Sequence, residues 1–198
     1  MIANSVSDYL NQMTPGLDVI DDLEPGERLV RAIERATEEP KAKELVLIAY
    51  SGELEKIWAT MILASTAGAM GVRCRVFVTF WGLQAFVRDD VRITGENIMQ
   101  KMMSFMQRPG ISHRKLSKMN FAGMGPWMMN KLADQYKVAS PKELLEAAQA
   151  MGVEFIPCQM TLDMFGLKSS DLIEGMSEPV GAATAIELMT NAEASLFI

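Results

Sequence analysis

The 198-residue sequence predicts an α/β domain with three layers and a mostly parallel sheet. Two observations carry this prediction. A strand, a helix and a second strand follow one another between residues 45 and 81, which is typical of a βαβ unit with parallel strands. A second, well-capped helix then leads into another apolar strand at residues 153–158. Alternation of this kind places helices on both faces of a sheet.

The first βαβ unit begins with the continuous apolar run 45–50 in "ELVLIAYSG", which is typical of a strand buried on both faces. The following helix has acidic residues Glu53 and Glu55 in its first turn, where the helix dipole favours negative charge. Gly71 is expected to end this helix. The next segment, "RCRVFVTFW", is rich in β-branched and aromatic residues and therefore predicts the second strand.

The second half contains the best-specified helix, "SPKELLEAAQAMG". Ser140 is the predicted N-cap, Pro141 takes the first helical position, Glu143 completes a capping box and Gly152 lies beyond the end. The remaining predicted elements are the strand "VEFIPC", helical turns over "QMTLDMFGL", a strand over "IEGMSE", a helix over "VGAATAIELMTNA" and an edge strand over "SLFI". The prediction is therefore a flavodoxin-like three-layer sandwich with a five-stranded sheet.

The chain is predicted to divide at its first strand. Residues 1–43 are polar, carry the acidic cluster "DVIDDLEPGE" and are interrupted by prolines, so they are interpreted as an N-terminal appendage with a short helix at about 26–38. Residues 44–198 form the predicted domain.

Composition excludes some classes of function. The net charge of -6 opposes binding to nucleic acid, and no basic stripe offsets it. The N-terminus lacks the pattern of a secretory signal, which favours a cytoplasmic location. The longest uncharged run, residues 57–72, is shorter than the roughly 20 residues that span a bilayer, and we interpret it as a buried helix.

The two cysteines occupy opposite ends of their predicted strands. Cys74 begins one strand and Cys158 ends another, so a disulfide between them is not expected. Reactive groups in parallel sheets collect beyond the carboxyl ends of the strands, which is the end of Cys158. Cys74 is expected to be a buried core residue.

Cys158 lies where a strand turns into a helix, and a thiol in this position can have a lowered pKa. Gln159, Met160 and Thr161 begin the helix and are expected to shape the environment of the thiolate. From position alone, a chemical role and a packing role for Cys158 remain equally open.

Other possible functional motifs in the sequence are weaker than the one at Cys158. "SGELEK" offers Gly52 and the amides of a helix start to an anion, but it lacks a recognised nucleotide-binding motif. Gly123 and Gly125 predict a turn that enters a helix at Pro126. His113 is the only histidine and is interpreted as part of a solvated loop, so neither a metal site nor a cofactor is predicted.

Several stretches together resemble a known family. "LIAYSGELEK", "VFVTFWGL", "KLSKMNFAGMGPWMM", "ELLEAAQAMGVEFIPCQMTLDMFG" and "LIEGM" are similar, in this order, to the DsrE/DsrF-like proteins, in particular the peroxiredoxin-like, second-type DsrE branch. The resemblance covers roughly residues 43–185. It implies an α/β domain, a homo-oligomer and a sulfur carrier in which the cysteine matching Cys158 holds sulfane sulfur as a persulfide.

The resemblance also implies partners: sulfur carriers of the TusA type, rhodanese-like donors or heterodisulfide-reductase-like complexes, with peripheral membrane contact left open. Function would then be sulfur transfer of a sulfurtransferase-like kind rather than conventional enzymatic turnover. Two alternatives stay open. The protein could be a thiol redox enzyme of the peroxiredoxin-like kind, or a non-catalytic oligomeric adaptor that docks through a Met-rich face.

The Met-rich segment 99–129 contains eight of the seventeen methionines. Met99, Met102, Met103 and Met106 recur at helical spacing, so packing in a core or a subunit interface is the default interpretation. Binding of a soft metal by the thioethers is disfavoured because Cys and His ligands are lacking nearby.

Overall fold

Four parallel strands form the sheet of the computed structural model, which describes residues 43–91 and 109–198. The strands are β1 (Glu44–Ala49), β2 (Arg73–Val78), β3 (Glu154–Pro157) and β4 (Ala194–Phe197), and their order in space is β3-β2-β1-β4. The chain thus moves outward from β1 through β2 to β3 and then returns to place β4 on the other side of β1. This reversal creates a topological switch point between β1 and β4.

The first βαβ unit forms as predicted. Helix α1 (Leu54–Ala69) joins β1 to β2, and these two strands pair in parallel. Gly71 follows the helix with a φ of 71°, a left-handed conformation that glycine adopts at little cost. The uncharged run 57–72 therefore supplies a packed helix, since Ile57, Met61 and Ala64 are fully buried.

The second predicted helix is α4 (Pro141–Ala150), and its capping box is confirmed. The Ser140 backbone N–H donates to Glu143 Oε2 at 2.7 Å, while the Glu143 backbone N–H donates to Ser140 Oγ at 3.3 Å. Helix α4 leads into β3, after which α5 (Gln159–Phe165) begins. The start of α4 agrees with the sequence pattern because local capping chemistry determines it.

The remaining helices are α2 (Phe80–Leu83), α3 (Met124–Tyr136) and α6 (Ala182–Asn191), with short 3₁₀ turns at Gln84–Phe86, Ile111–His113, Phe121–Gly123 and Ser169–Asp171. The turn predicted before Pro126 is confirmed: Gly123 precedes α3 with a φ of 99°. The helix predicted near the C-terminus is α6, and "SLF" lies in the edge strand β4.

The sheet separates two apolar clusters, as expected for three layers. One cluster joins the strand residues Leu47, Val76 and Phe155 to α1 and α4. On the other face, Val46, Ile48, Phe77, Ile156 and Cys158 pack with Ala185 of α6. Alternate residues of each strand point to opposite faces, so both sides of the central strands are buried.

The predicted strand over "IEGMSE" does not form as a regular strand, so the described residues contain four strands where five were expected. Only two isolated parallel bridges pair this region with the outer edge of β3 and the residue after it, at Met176 and Val180. The physical reason lies in the sequence. Gly175 has a φ of 81°, and Pro179 has no N–H to donate to a ladder.

Two predictions fall on residues outside the described ranges: the helix at 26–38 and the methionine repeat from Met99 to Met106. The division of the chain at residue 43 also stays a prediction. Within the described residues, none of the helices has the length and apolar character that crossing a bilayer requires.

Candidate functional site

Cys158 occupies the turn between β3 and α5, where it is the N-cap residue of the helix. Its backbone N–H donates to the carbonyl of Val78 at 2.9 Å, and its own carbonyl accepts from the N–H groups of Thr161 and Leu162, both at 3.1 Å. The main chain at Cys158 is therefore held by the neighbouring strand and by the first turn of α5. This confirms the predicted position at the carboxyl end of a strand.

The Cys158 side chain is buried. The residue is 3% exposed and lies in the apolar cluster with Phe77, Ile156 and Ala185. Neighbouring residues therefore cover the thiol in this conformation.

Two threonine hydroxyls lie beside the thiol. Oγ1 of Thr79, which follows β2, is 3.0 Å from Oγ1 of Thr161 in α5, and both hydroxyls act to lower the pKa of the Cys158 thiol. The Phe80 backbone N–H donates to Oγ1 of Thr161 at 3.1 Å. The two hydroxyls carry two protons, of which one lies in the hydrogen bond between them, so the other can point to the sulfur.

These donors decide the acidity of the thiol. Burial acts to raise the pKa of Cys158, but hydrogen bonds from the hydroxyls of Thr161 and Thr79 and from the backbone amides of Thr161 and Met160 lower it, and the net pKa is lowered. Donors that favour the charged form outweigh the loss of solvation. A thiol with this environment is a better nucleophile near neutral pH than an ordinary cysteine.

The residues predicted to shape the thiolate contribute unequally. Thr161 is fully buried and lies directly beside Cys158, and Met160 contributes its backbone amide. The side chains of the other two point elsewhere: Met160 is 56% exposed, and Gln159 Nε2 donates to Asp163 Oδ1 at 2.8 Å. The structure thus brings Cys158 and Thr161 together, while Gln159 lies at the surface.

Thr79 is the site residue that the sequence reasoning missed. It follows β2 directly and is 7% exposed. A signal was present in the sequence, because the carboxyl ends of neighbouring parallel strands meet at the same edge of a sheet. Thr79 and Cys158 each stand one residue beyond a paired strand end, since Val78 pairs with Pro157.

The turn after Thr79 is conformationally demanding. Phe80 has a φ of 45°, which is strained for a residue with a side chain. A Cβ on Gly82 would lie 2.3 Å from the Ala49 carbonyl oxygen, so only glycine fits there. Trp81 stacks on Phe165 of α5 with ring centroids 5.4 Å apart. The "TFWG" turn is thereby pressed against both β1 and the helix that follows Cys158.

Cys74 lies at the other end of the sheet, where it pairs with Leu45 near the start of β1. The residue is 2% exposed, and burial raises the pKa of its thiol to about 11. Both cysteines are free thiols. Cys74 is therefore a core residue, as expected, and is unsuited to nucleophilic chemistry.

His113 lies in an exposed 3₁₀ turn, with Nδ1 3.6 Å from Asp89 Oδ1. Among residues 43–91 and 109–198, the structure contains no cluster of three or more His, Cys, Asp or Glu side chains that could hold a metal ion. The chemistry of the described site therefore rests on the thiol of Cys158 and its hydrogen-bond donors.

The chain is similar to proteins of known sequence over most of its length. The chain is 33% identical over 162 residues to an uncharacterised protein, YrkE, of Bacillus subtilis, covering 82% of this chain and 99% of the relative. It is 35% identical over 159 residues to the sulfur carrier protein DsrE2 of Allochromatium vinosum, covering 79% of this chain and 98% of that protein.

Among solved structures, the ychN protein of E. coli matches with a TM-score of 0.46 and 15% identity, over 79% of this chain and 99% of that chain. A protein of unknown function from Methanobacterium thermoautotrophicum matches with a TM-score of 0.45 and 14% identity, with the same coverage. The model of the DsrE/DsrF/DrsH-like family matches residues 41–197, which include every described element of the sheet. The chain belongs to the DsrE/DsrF/DrsH-like family.

Proposed function

We propose that this protein is a sulfur carrier in which Cys158 holds a sulfane sulfur atom as a persulfide. The observation that carries the proposal is the placement of Cys158 beside Thr79 and Thr161, whose hydroxyls lower the pKa of the thiol despite its burial. The family and the relative named a sulfur carrier support the same role.

The proposed chemistry is thiol exchange without net oxidation. The Cys158 thiolate attacks the outer sulfur of a donor persulfide, a new S–S bond forms, and the donor leaves as a thiolate. An acceptor thiolate then attacks the outer sulfur of the Cys158 persulfide. The Cys158 thiolate is the leaving group, so a lowered pKa favours both loading and release.

The site has two features that suit a carrier. The apolar surroundings of Cys158 limit the access of water to a bound persulfide. In addition, Cys74 lies near the amino end of β2, whereas Cys158 follows the carboxyl end of β3, so the second thiol of the chain is not placed to displace the sulfur as a disulfide.

The test is to load the full chain with inorganic polysulfide, remove the excess and weigh the intact protein. We expect adducts of one sulfur atom on the wild type and on the Cys74→Ser variant, and none on Cys158→Ser. Release of the sulfur to a small thiol acceptor, with recovery of the original mass, completes the expected cycle. Adducts that persist in Cys158→Ser would contradict the proposal.

A second experiment, with peroxide, separates the carrier from a thiol peroxidase. A peroxidase would form a sulfenic acid at Cys158 rapidly with peroxide, whereas a carrier would load from polysulfide. A sulfenate-specific probe applied after brief peroxide treatment should therefore label Cys158 slowly. Rapid labelling, without polysulfide loading, would favour the redox alternative.

A second candidate role, that of an adaptor, is favoured by the surface of α3. Helix α3 contains no buried residue among those whose side chains are described, and it exposes Trp127, Met128, Leu132 and Tyr136. Exposed apolar patches of this kind mark interaction sites. If the protein were only an adaptor, binding of a sulfur carrier of the TusA type would be lost in Trp127→Glu, and no sulfur would load on Cys158. Polysulfide loading of Cys158 would exclude a purely non-catalytic role.

A further inference from the structure

A pocket of about 570 Å³ lies beyond the carboxyl end of β1, and Thr79, Cys158 and Thr161 are not among the described residues that line it. It is formed by the start of α1, the turn after β2 and the segment 113–117. The lining residues that matter below are Tyr50, Gly52, Lys56, Trp81, Arg114 and Lys115. The volume falls in the range of about 300–1,000 Å³ that is typical of sites for small molecules.

The position of the pocket is one at which α/β sheets bind ligands. The order of the strands reverses between β1 and β4, and ligands lie outside the carboxyl ends of the strands at such a switch point. Tyr50 follows β1 directly, and its ring packs on Phe197 of β4 with centroids 4.8 Å apart. The pocket therefore opens next to the switch point.

The lining carries positive charge in a chain whose net charge is -6. Among the described residues that line the pocket, Arg114, Lys115 and Lys56 are cationic, and the acidic residue is Glu53, which pairs with Lys56 at 2.8 Å. Arg114 is only 6% exposed, and its Nε donates to the Gly110 carbonyl at 2.9 Å. Burial lowers the pKa of Arg114 to about 10, opposed by the nearby Asp89, so the guanidinium remains charged at neutral pH.

The backbone amides at the start of α1 offer fewer donors to an anion than the sequence suggested. The Leu54 N–H donates to the Lys115 carbonyl at 2.8 Å, and the Glu53 N–H donates to Ser51 Oγ at 3.3 Å. These two N–H groups already donate hydrogen bonds within the protein, so they are not available to bind an anion. The first of these bonds instead fixes the backbone of Lys115 against α1, which holds the segment that carries Arg114 and Lys115 at the rim of the pocket.

Gly52 allows the charged and aromatic walls to approach each other. A Cβ at Gly52 would lie 2.4 Å from the Trp81 carbonyl oxygen and 3.4 Å from Nη1 of Arg114. Because the carbonyl belongs to the backbone, any side chain at this position would force the turn after β2 away from α1. Trp81 and Tyr50 are 40% and 37% exposed, so their rings offer flat apolar surface beside the cationic groups.

We propose that this pocket binds a small organic anion, with its carboxylate or phosphate group held by Arg114 and Lys115 and its carbon skeleton against Trp81 and Tyr50. An inorganic ion alone would leave most of the 570 Å³ unfilled. Arginine and lysine supply the donors that carboxylates and phosphates require. The proposal does not depend on Cys158, which does not line the pocket.

The test is calorimetric titration of the full chain with two probes: S-methylglutathione, which supplies carboxylates and cannot exchange sulfur, and adenosine monophosphate, which supplies phosphate. We expect at least one probe to bind with a Kd below about 1 mM, and inorganic sulfate to bind at least about tenfold more weakly. The probe that binds identifies the anionic group that the pocket prefers. Lys115→Gln should weaken binding by about tenfold, the usual scale of one lost charged hydrogen bond.

Lys131→Gln is the matched control, because Lys131 is an exposed lysine of α3 that does not line the pocket. It should bind the probe as the wild type does, and so should Cys158→Ser. The proposal would be overturned if neither probe bound, if sulfate bound as tightly as the probes, or if Lys131→Gln weakened binding as much as Lys115→Gln. Retention of binding in Cys158→Ser with loss of polysulfide loading would separate this site from the proposed carrier function.

Discussion

The two cysteines lie at opposite ends of the sheet, and the pKa values of their thiols are shifted in opposite directions. Cys74 and Cys158 are 2% and 3% exposed, so both thiols are removed from solvent to nearly the same extent. At the amino end, burial raises the pKa of Cys74 to about 11. At the carboxyl end, hydrogen bonds lower the pKa of Cys158 in spite of burial. Burial alone therefore does not determine whether a cysteine is reactive; the donors around the sulfur do.

The difference follows from which side chains lie at each end. The side chain of Cys74 points into the apolar cluster beneath α1 and α4. Its neighbours Arg73 and Arg75 point to the other face, where both pair with Glu154. The positive charges closest in sequence to Cys74 are thus directed away from its thiol. Cys158 is instead joined by Thr79 from the neighbouring strand and Thr161 from its own helix.

The largest expected effect is on alkylation. At about pH 8, a pKa of about 11 leaves roughly 0.1% of Cys74 as thiolate, whereas a pKa below 9.0 leaves at least roughly a tenth of Cys158 ionised. We expect iodoacetamide to modify Cys158 at least about tenfold faster, because the larger thiolate fraction outweighs the lower nucleophilicity of a thiolate with a lower pKa. The measurement is peptide mass spectrometry over time. In urea the two thiols should react at similar rates. Equal rates in the native protein would break the comparison.

The next effect concerns the hydroxyl donors. Thr79→Val or Thr161→Val removes one hydrogen bond to a charged acceptor, which is worth about 1.5–3 kcal/mol, so the pKa of Cys158 should rise by about 1–2 units. The measurement is the pH at which the alkylation rate of Cys158 is half-maximal. Thr161→Val should also destabilise the fold, because the Phe80 N–H loses its acceptor.

Thr60→Val is the matched control for these variants. Thr60 is a buried threonine of α1 whose hydroxyl donates to the Lys56 carbonyl at 2.9 Å, far along the chain from the thiol site. It should leave the alkylation profile of Cys158 unchanged. If Thr60→Val moved that profile as much as Thr161→Val does, the hydroxyls beside the sulfur would not be the cause of the lowered pKa.

The smallest effect is on stability at alkaline pH. Because the folded pKa of Cys74 is raised from 9.0 to about 11, its contribution is complete below pH 9 and is lost as the pH rises toward 11. The free energy of unfolding should fall by up to about 1.4 kcal/mol per pH unit from this thiol alone. Urea unfolding at about pH 8 and about pH 10 should therefore show a shallower decline for Cys74→Ala than for the wild type.

Cys158 has the opposite linkage. Its folded pKa is depressed, so its contribution is present above pH 9.0 and is lost as the pH falls through the folded value. Cys158→Ala should therefore decline more steeply than the wild type between the same two conditions. A change of slope in the same direction for both variants would show that the two ends of the sheet do not differ in the way described.

Much of the fold could be predicted because local chemistry specifies it. Ser140, Pro141 and Glu143 define the start of α4 without help from the rest of the chain. The prediction of a strand over "IEGMSE" was wrong for an equally local reason. Gly175 and Pro179 prevent a continuous ladder of hydrogen bonds. The end of α1 was predicted correctly from Gly71.

The site was predicted in part. Cys158 and Thr161 are close in the chain, so their proximity in a helical turn was expected. Thr79 is 82 residues away from Thr161, and no pattern within either segment indicates that their hydroxyls meet. The pocket beyond β1 has the same character: Gly52 was noted for its helix start, but Arg114 and Lys115 reach it from a distant segment. The amides of Glu53 and Leu54 are bonded within the protein, so the proposed anion site depends on side chains instead.

By itself, the sequence determined most of the strands and helices of the described residues and that the two cysteines lie at opposite ends of the sheet. Periodicity, capping residues and strand length are properties of neighbouring residues, which suffice for these conclusions. The tertiary structure decided which strand ends are adjacent, and therefore that Thr79 lies beside Cys158 and that Arg114 and Trp81 line one pocket. Adjacency of this kind depends on the order and register of the strands, which arise from packing of the whole sheet.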